Sequence, residues 1–363
     1  MIDRSQVMNI DWILVGLLLL NSAIGVVAIY SSSLYLPGNY CLKQIIWIII
    51  SLVLLFIFLS IDYNILTTYS LFLYILGIVL LGSVLIFGNL IAGTRSWFRL
   101  FFFQIQPSEI TKIAVILVLS RIFSGFKRSP LSWKLGSISS VMVFIPVVLI
   151  AFQPDLGTAL SFIPIFFGAI ILAGINRKAL ILLLVFVLVL GFAGWNFFLK
   201  DYQKSRLTTL ISPNKDPLGS GYHVLQSKIA IGSGGFSGKG YLKGTQSQLR
   251  FLPARHTDFI FSVIGEEFGF IGVVLAVLAF FFFVYRLFNS VKSSKDRAGV
   301  YIIFMVSMMI TCQFFVNVLM AIGLFPITGI PLPLFSYGGS SLLTNYLAVS
   351  LVLNVKMRRF VNL

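Results

Sequence analysis

Apolar stretches of about 18 residues or more recur along the whole chain, each long enough as a helix to cross a hydrocarbon core of about 30 Å. No other feature constrains the fold as tightly. WILVGLLLLNSAIGVVAIYSSS at 12 to 33 and IFSVIGEEFGFIGVVLAVLAFFFFVY at 260 to 285 are apolar almost all round. In lipid every backbone N–H and C=O needs an internal partner, so only helices or closed barrels can span. Barrel strands would be shorter and would alternate, which these runs do not. With 58% hydrophobic and only 10% charged residues, a water-soluble fold is excluded. Hydropathy suggests spans near residues 12 to 32, 44 to 61, 67 to 88, 107 to 123, 135 to 152, 157 to 174, 179 to 199, 258 to 285, 299 to 322 and 338 to 356. The expected fold is therefore an all-α integral membrane protein of about ten transmembrane helices, with 1–363 one polytopic domain. The first stretch is too long for a secretory h-region and reads as a retained span.

Charge sets the orientation. The chain carries 27 Lys and Arg against 11 Asp and Glu, a formal charge of +16. With both termini in the cytoplasm, the inner segments hold Arg4, Lys127, Arg128, Lys134, Arg177, Lys178, Arg286, Lys292, Lys295, Arg297, Lys356, Arg358 and Arg359, while the short outer loops hold only Lys43, Arg95 and Arg99. Short loops obey the positive-inside rule and long ones cross regardless of charge. The long exception, residues 200–257 between the seventh and eighth spans, lies outside in this arrangement. It carries Lys200, Lys204, Arg206, Lys215, Lys228, Lys239, Lys243, Arg250 and Arg255 against Asp201 and Asp216.

A loop of that length in a compact fold points to function, and its HVLQSKIAIG stretch could form a short helix at the interface. Its charge suits anionic lipid headgroups or an anionic substrate, and no nucleic-acid partner is expected. The glycines of IAIGSGGFSGKG could let the backbone offer N–H groups to phosphate, or could simply make turns. GSGGFSGKG fails as a nucleotide P-loop: Ser233 stands where the first glycine should fall, and Gly240 follows Lys239 in place of Ser or Thr. Two cysteines, Cys41 and Cys312, and two histidines, His223 and His256, supply neither a disulfide framework nor a zinc site.

Acids within spans are the better clue, because a charge at the bilayer centre costs at least about 2.5 to 3.5 kcal/mol on insertion scales. Glu109, Lys112, Asp155, Asp258, Glu266 and Glu267 all fall in spans or at their ends. Glu109 and Lys112, three apart on one helix face, can neutralise each other. Asp155, in FQPDLGT, and Asp258, in FLPARHTDFIF, each sit at an outer span boundary as either a helix cap or a site carboxylate. Asp258 alone has the basic glycine-rich loop directly before it.

Taken together, FQIQPSE at 103–109, FQPDLGT at 152–158, DPLGSGYH at 216–223, QSKIAIGSGG at 226–235, FLPARHTDFIF at 251–261 and PLPLFSYGGSS at 331–341 resemble the SEDS family (shape, elongation, division and sporulation). They occur in the family's order, and DPLGSGYH with QSKIAIGSGG is most similar to its elongation branch. One departure is Gly93-Thr-Arg95-Ser-Trp97, where the family often has the Arg directly before the Trp.

The resemblance implies a ten-span enzyme of the bacterial cytoplasmic membrane that polymerises lipid II into glycan strands outside it, beside a class B penicillin-binding protein transpeptidase. It puts the catalytic aspartate at Asp258, the family's buried Glu and Lys at Glu109 and Lys112, and its motif aspartate at Asp155. Transfer from a polyprenyl pyrophosphate needs no nucleotide, only a base for the attacking hydroxyl and cations for the leaving group. Arg206, Lys239, Arg255 and Arg95 are the candidate cations, and a divalent ion such as Mg2+ is left open. The expected reaction is a single, inverting displacement. A lipid II flippase and a non-catalytic scaffold are the rival readings.

The orientation is testable on its own. Ser237→Cys should react with a membrane-impermeant maleimide from outside, and Ser294→Cys only after permeabilisation; the opposite pattern would reverse the topology.

Overall fold

The computed structural model describes residues 9–91, 94–100, 103–125, 133–174 and 219–358. Its helices are α1 (Trp12–Ser33), α2 (Tyr40–Ser60), the short α3 (Tyr63–Thr68), α4 (Ser70–Phe87), α5 (Pro107–Ser124), α6 (Trp133–Phe152), α7 (Leu156–Leu160), α8 (Ile163–Ala173), α9 (Ser220–Ser233), α10 (Thr245–Gln248), α11 (Ile260–Asn289), α12 (Arg297–Ala321) and α13 (Gly339–Met357). Among the described residues, seven helical spans are long and apolar enough to cross a membrane: α1, α2, α4, α6, α7 with α8, α11 with the 3-10 turn after it, and α12. Two further expected spans are the 18-residue α5 and the 19-residue α13. The expected span at 179–199 lies outside the described residues.

The polar character of α5 and α13 follows from their position. Both are buried along nearly their whole length, with α5 packed against α4 and α12, and α13 against α2. The surrounding helices screen them from lipid, so Thr111, Lys112, Ser120, Thr344, Asn345 and Asn354 can sit within the bundle. The outer helices instead expose Ile49, Phe72, Val79 and Phe281, the pattern a helix facing hydrocarbon requires. Small residues allow close helix approach. A Cβ on Gly77 of α4 would lie 3.0 Å from Thr111 Oγ1 of α5.

Residues 88 to 106, expected as a short outer loop, hold a three-stranded antiparallel sheet of β1 (Asn89–Ile91), β2 (Thr94–Leu100) and β3 (Phe103–Ile105) in that order. Asn89 pairs with Trp97, and Arg99 with Gln104. Windows long enough to detect a span average over three to seven residues of β-prone sequence and miss them. The sixth span is also interrupted: α7 ends at Leu160 and α8 begins at Ile163.

At one end of the bundle the start of α1 meets the ends of α11 and α13. Asp11 caps α1 through Leu14 N at 3.3 Å, accepts from Arg286 Nε at 2.8 Å and pairs with Lys356. Nearby, Arg358 reaches Asp62 at 3.3 Å and the Tyr63 hydroxyl donates to Asp296 at 2.8 Å. Buried Asn354 donates to the carbonyls of Phe58, Leu59 and Ile61 at the end of α2, where the regular helical ladder stops. The motif-bearing turns gather at the opposite end.

Burial, the largest influence on the Asp11 carboxyl, pushes its pKa up, but hydrogen bonds from Arg286 and Lys356 outweigh it and hold the group below its ordinary 3.8. A depressed folded pKa means stability that is present above 3.8 and lost as the pH falls through the folded value. Asp11→Ala should therefore cost about 3 kcal/mol at neutral pH, read as a lower melting temperature in detergent, and the gap to wild type should narrow in acid. An unchanged melting temperature at pH 7 would show that the cluster contributes no stability.

Candidate functional site

Asp258 lies in the turn that leads into α11. The helix begins at Ile260 and the N-cap position falls to Phe259, so Asp258 stands one residue before it, half-buried. Its own N–H donates to Ala254 O at 3.0 Å. Three successive carbonyls of this turn are held from elsewhere in the chain. Tyr337 N donates to His256 O at 2.9 Å, Ser336 Oγ to Thr257 O at 2.5 Å, and Asn317 Nδ2 of α12 to Asp258 O at 2.9 Å. Asn317 Nδ2 also donates to Ile330 O at 2.8 Å, joining the Asp258 turn to the 323–338 segment.

That segment forms the floor of the site. Gly329 has φ +73°, and a Cβ there would lie 3.9 Å from Asp258 Oδ2, so the carboxylate faces this glycine. Behind it, Leu334 and Phe335 press so closely on α1 that a Cβ at Gly25 would stand 2.7 Å from their backbone. Gln44 of α2 donates to Ser336 O at 3.2 Å and accepts from Gly338 N at 3.4 Å. The rings of Tyr40, His256 and Tyr337 cluster beside the turn, with centroids 4.7 Å apart for Tyr40 and His256 and 5.8 Å for His256 and Tyr337. Burial, then the Arg255 charge, pulls the His256 pKa down. The imidazole is thus neutral at neutral pH, and cationic help must come from other residues.

Asp155 approaches the same segment from the other side. It caps α7, accepting from Thr158 N at 3.1 Å, Thr158 Oγ1 at 2.8 Å and Gln106 Nε2 at 2.9 Å. Two residues on, Gly157 lies so near Thr328 that a Cβ would stand 1.9 Å from the Thr328 carbonyl oxygen. Thr328 and Gly329 therefore separate the Asp155 turn from Asp258. Gln106, the N-cap of α5, makes no side-chain cap bond, and its backbone N–H donates to Ser340 Oγ at 3.3 Å, which ties the start of α5 to that of α13. Just inside α5, Lys112 Nζ bonds Glu109 Oε1 at 2.9 Å with both side chains buried, and Glu109 Oε2 has no partner among the described residues.

The glycine-rich stretch serves backbone packing. α11 is interrupted at Gly269, with φ +64° and ψ −161°. The carbonyls of Glu266 and Glu267, freed by this break, accept from Lys239 N and Gly240 N, both at 3.0 Å. The freed N–H groups of Phe270 and Ile271 donate to Gly235 O at 2.9 Å and Phe236 O at 3.2 Å. A Cβ at Gly238 would stand 2.2 Å from Glu267 O, so only glycine permits this approach. The Lys239 and Gly240 N–H groups, which the sequence offered to phosphate, are thus taken by carbonyls.

The basic side chains are dispersed. Lys239 Nζ pairs with Glu266 Oε1 at 2.8 Å, and Glu266 also accepts from Gln246 N at 2.7 Å and Ser247 N at 3.0 Å. Arg255, three residues before Asp258, is buried; its Nε donates to Ser32 O at 2.6 Å while Nη2 has no partner among the described residues. Arg95 is exposed on β2, and Arg206 lies outside the described residues. The expected interfacial helix over HVLQSKIAIG is part of α9, packed on α11. Among the described residues no three His, Cys, Asp or Glu side chains converge to hold a metal ion. Sequence reasoning passed over Asn317, Ser336 and Gln106, although a lone Asn in the apolar run FFVNVLMA was a visible signal.

The family model described as cell cycle protein, covering FtsW, RodA and SpoVE, matches residues 11–360. The peptidoglycan glycosyltransferase MrdB of Escherichia coli (strain K12) is 40% identical over 292 residues, covering 79% of this chain and 78% of that protein. The peptidoglycan glycosyltransferase RodA of Treponema pallidum (strain Nichols) is 32% identical, covering 97% of this chain and 99% of its own length. Among solved structures, a chain from work on the coordination of polymerization and crosslinking by a peptidoglycan synthase complex superposes with a TM-score of 0.84 at 32% identity, covering 97% of this chain and 99% of that one. The rod shape determining protein RodA of Thermus thermophilus gives 0.73 at 29% identity, covering 97% and 98%. A match over nearly the whole chain, in sequence and in fold, makes this protein a member of the cell cycle protein family of FtsW, RodA and SpoVE.

Proposed function

We propose that this chain is a peptidoglycan glycosyltransferase that polymerises lipid II on the outer face of the cytoplasmic membrane during cell elongation, with Asp258 as its general base. The glycosyltransferase activity follows the family and the names of its relatives. The observation that supports Asp258 is its turn, in which three consecutive carbonyls are fixed while the carboxylate faces Gly329, a residue without a side chain to obstruct it.

The chemistry needs little more from the protein. A sugar hydroxyl of the acceptor attacks the anomeric carbon of the donor; as the new C–O bond forms, the bond to pyrophosphate breaks and the leaving group departs with its electron pair. Asp258 takes the proton from the attacking hydroxyl. Arg255, with Nε spent on Ser32 and Nη2 without a partner among the described residues, is the nearest cation in sequence to stabilise the developing pyrophosphate charge. Arg206 and Arg95 remain candidates for headgroup binding, whereas Lys239 acts through its pair with Glu266 to hold the loop. Glu109 and Lys112 shape the interior wall as one neutral unit, and Asp155 holds its own turn against the floor.

The excess of Lys and Arg in the short segments assigned to the inner side supports a cytoplasmic position for both termini. The partner is a class B penicillin-binding protein that crosslinks the strands, a reading supported by the synthase complex that a solved relative forms.

Asp258→Asn preserves size and one acceptor oxygen but cannot accept the proton. Purified Asp258→Asn protein should elute as the wild type does and lose at least about 100-fold of its lipid II polymerisation, resolved by strand length with labelled substrate. Wild-type activity in this variant would remove Asp258 from the chemistry.

A further inference from the structure

We propose that Asn317 and Ser336 are positioning residues that set the aim of the Asp258 carboxylate by gripping the backbone of its turn. This rests on the reading of Asp258 as the base. Neither side chain touches the carboxylate in the bonds that define it: Asn317 Nδ2 donates to the Asp258 carbonyl at 2.9 Å and Ser336 Oγ to the Thr257 carbonyl at 2.5 Å.

Each residue also binds the floor segment. Asn317 spends its second N–H on Ile330 O at 2.8 Å, and Ser336 Oγ accepts from Leu332 N at 2.8 Å. A single amide and a single hydroxyl thus fasten the Asp258 turn and the Gly329 segment to each other, fixing the carboxylate against the glycine it faces. Both side chains are buried, Asn317 completely. Its Oδ1 has no partner among the described residues, so the amide is oriented by what it donates. A residue whose role was to fill space in an apolar helix would be better served by Leu, which leaves no buried acceptor unpaired. The donor function is what the position requires.

A displacement of about 1 Å in a reacting group is enough to cost roughly 100-fold in rate, so losing either grip should be felt in turnover and little in substrate affinity. The test uses the full chain purified with labelled lipid II, comparing Asn317→Leu, Ser336→Ala and Asp258→Asn. Folded protein is counted by fluorescence-detected size exclusion and rates are expressed per folded molecule, with Ser336→Ala standing in if Asn317→Leu fails to fold. The expected result is a fall of about 10- to 100-fold in kcat with KM within about threefold of wild type, and partial recovery in Ser336→Thr, which retains the hydroxyl.

A merely structural role would lower the amount or melting temperature of folded protein and leave kcat per folded molecule unchanged. That result, together with an inactive Asp258→Asn, would overturn the positioning role and leave the base assignment standing. An active Asp258→Asn would overturn the base assignment itself.

Discussion

The break in α11 at Gly269 is the constraint around which the site end of the molecule is organised. Gly269 lies nine residues beyond Ile260, about 14 Å along the axis at a helical rise of about 1.5 Å per residue. A helix interrupted there loses backbone hydrogen bonds where water is scarce, and each unsatisfied group in lipid costs several kcal/mol. The 235–240 loop resolves this by exchange: it gives two N–H groups to the freed carbonyls and two carbonyls to the freed N–H groups. Because the exchange demands contact between two backbones, Gly238 and Gly269 cannot carry side chains. The buried carboxylate of Glu266 extends the same anchoring to the 245–247 segment through Lys239, Gln246 and Ser247.

Similar accounting of backbone groups explains the buried amides elsewhere. Asn354 closes the end of α2, Gln153 donates to Leu81 O at 3.1 Å, Gln44 holds the Ser336 turn, and Asn317 holds the turn of Asp258. Apart from Leu81, inside α4, each acceptor lies where a chain reverses or a helix stops inside the bundle. The polar helices α5 and α13 can carry such groups because apolar helices surround them. What emerges at the site end is a set of short, irregular segments fixed by side chains from helices distant in sequence, which is the rigidity that an active site on loops would otherwise lack.

Much of this was legible in the sequence. Apolar length gave the spans, because a helix crossing lipid has a minimum extent, and α1, α6 and α12 fall within about two residues of expectation. The Glu109 and Lys112 pair was legible because i and i+3 share a face. Asp155 and Asp258 were each open between cap and site; Asp155 does cap a helix, while Asp258 sits one residue outside the N-cap position. The role of the glycine-rich stretch was not legible, since which carbonyls Lys239 and Gly240 meet depends on a break some 30 residues away. Nor was the β-sheet, whose strands are too short to register beside spans. Asn317 was visible as a polar residue in an apolar run, but its two acceptors belong to separate turns that only the fold brings together.

The stereochemistry of the new linkage bears most directly on the claim that Asp258 acts as a base in one displacement. Strands made from isotopically labelled lipid II by the purified chain, examined by NMR at the anomeric carbon, should show inversion relative to the pyrophosphate-linked carbon of the donor. Retention would contradict the account, because it requires a covalent sugar intermediate and hence a nucleophile, a task in which Asp258 as base has no part.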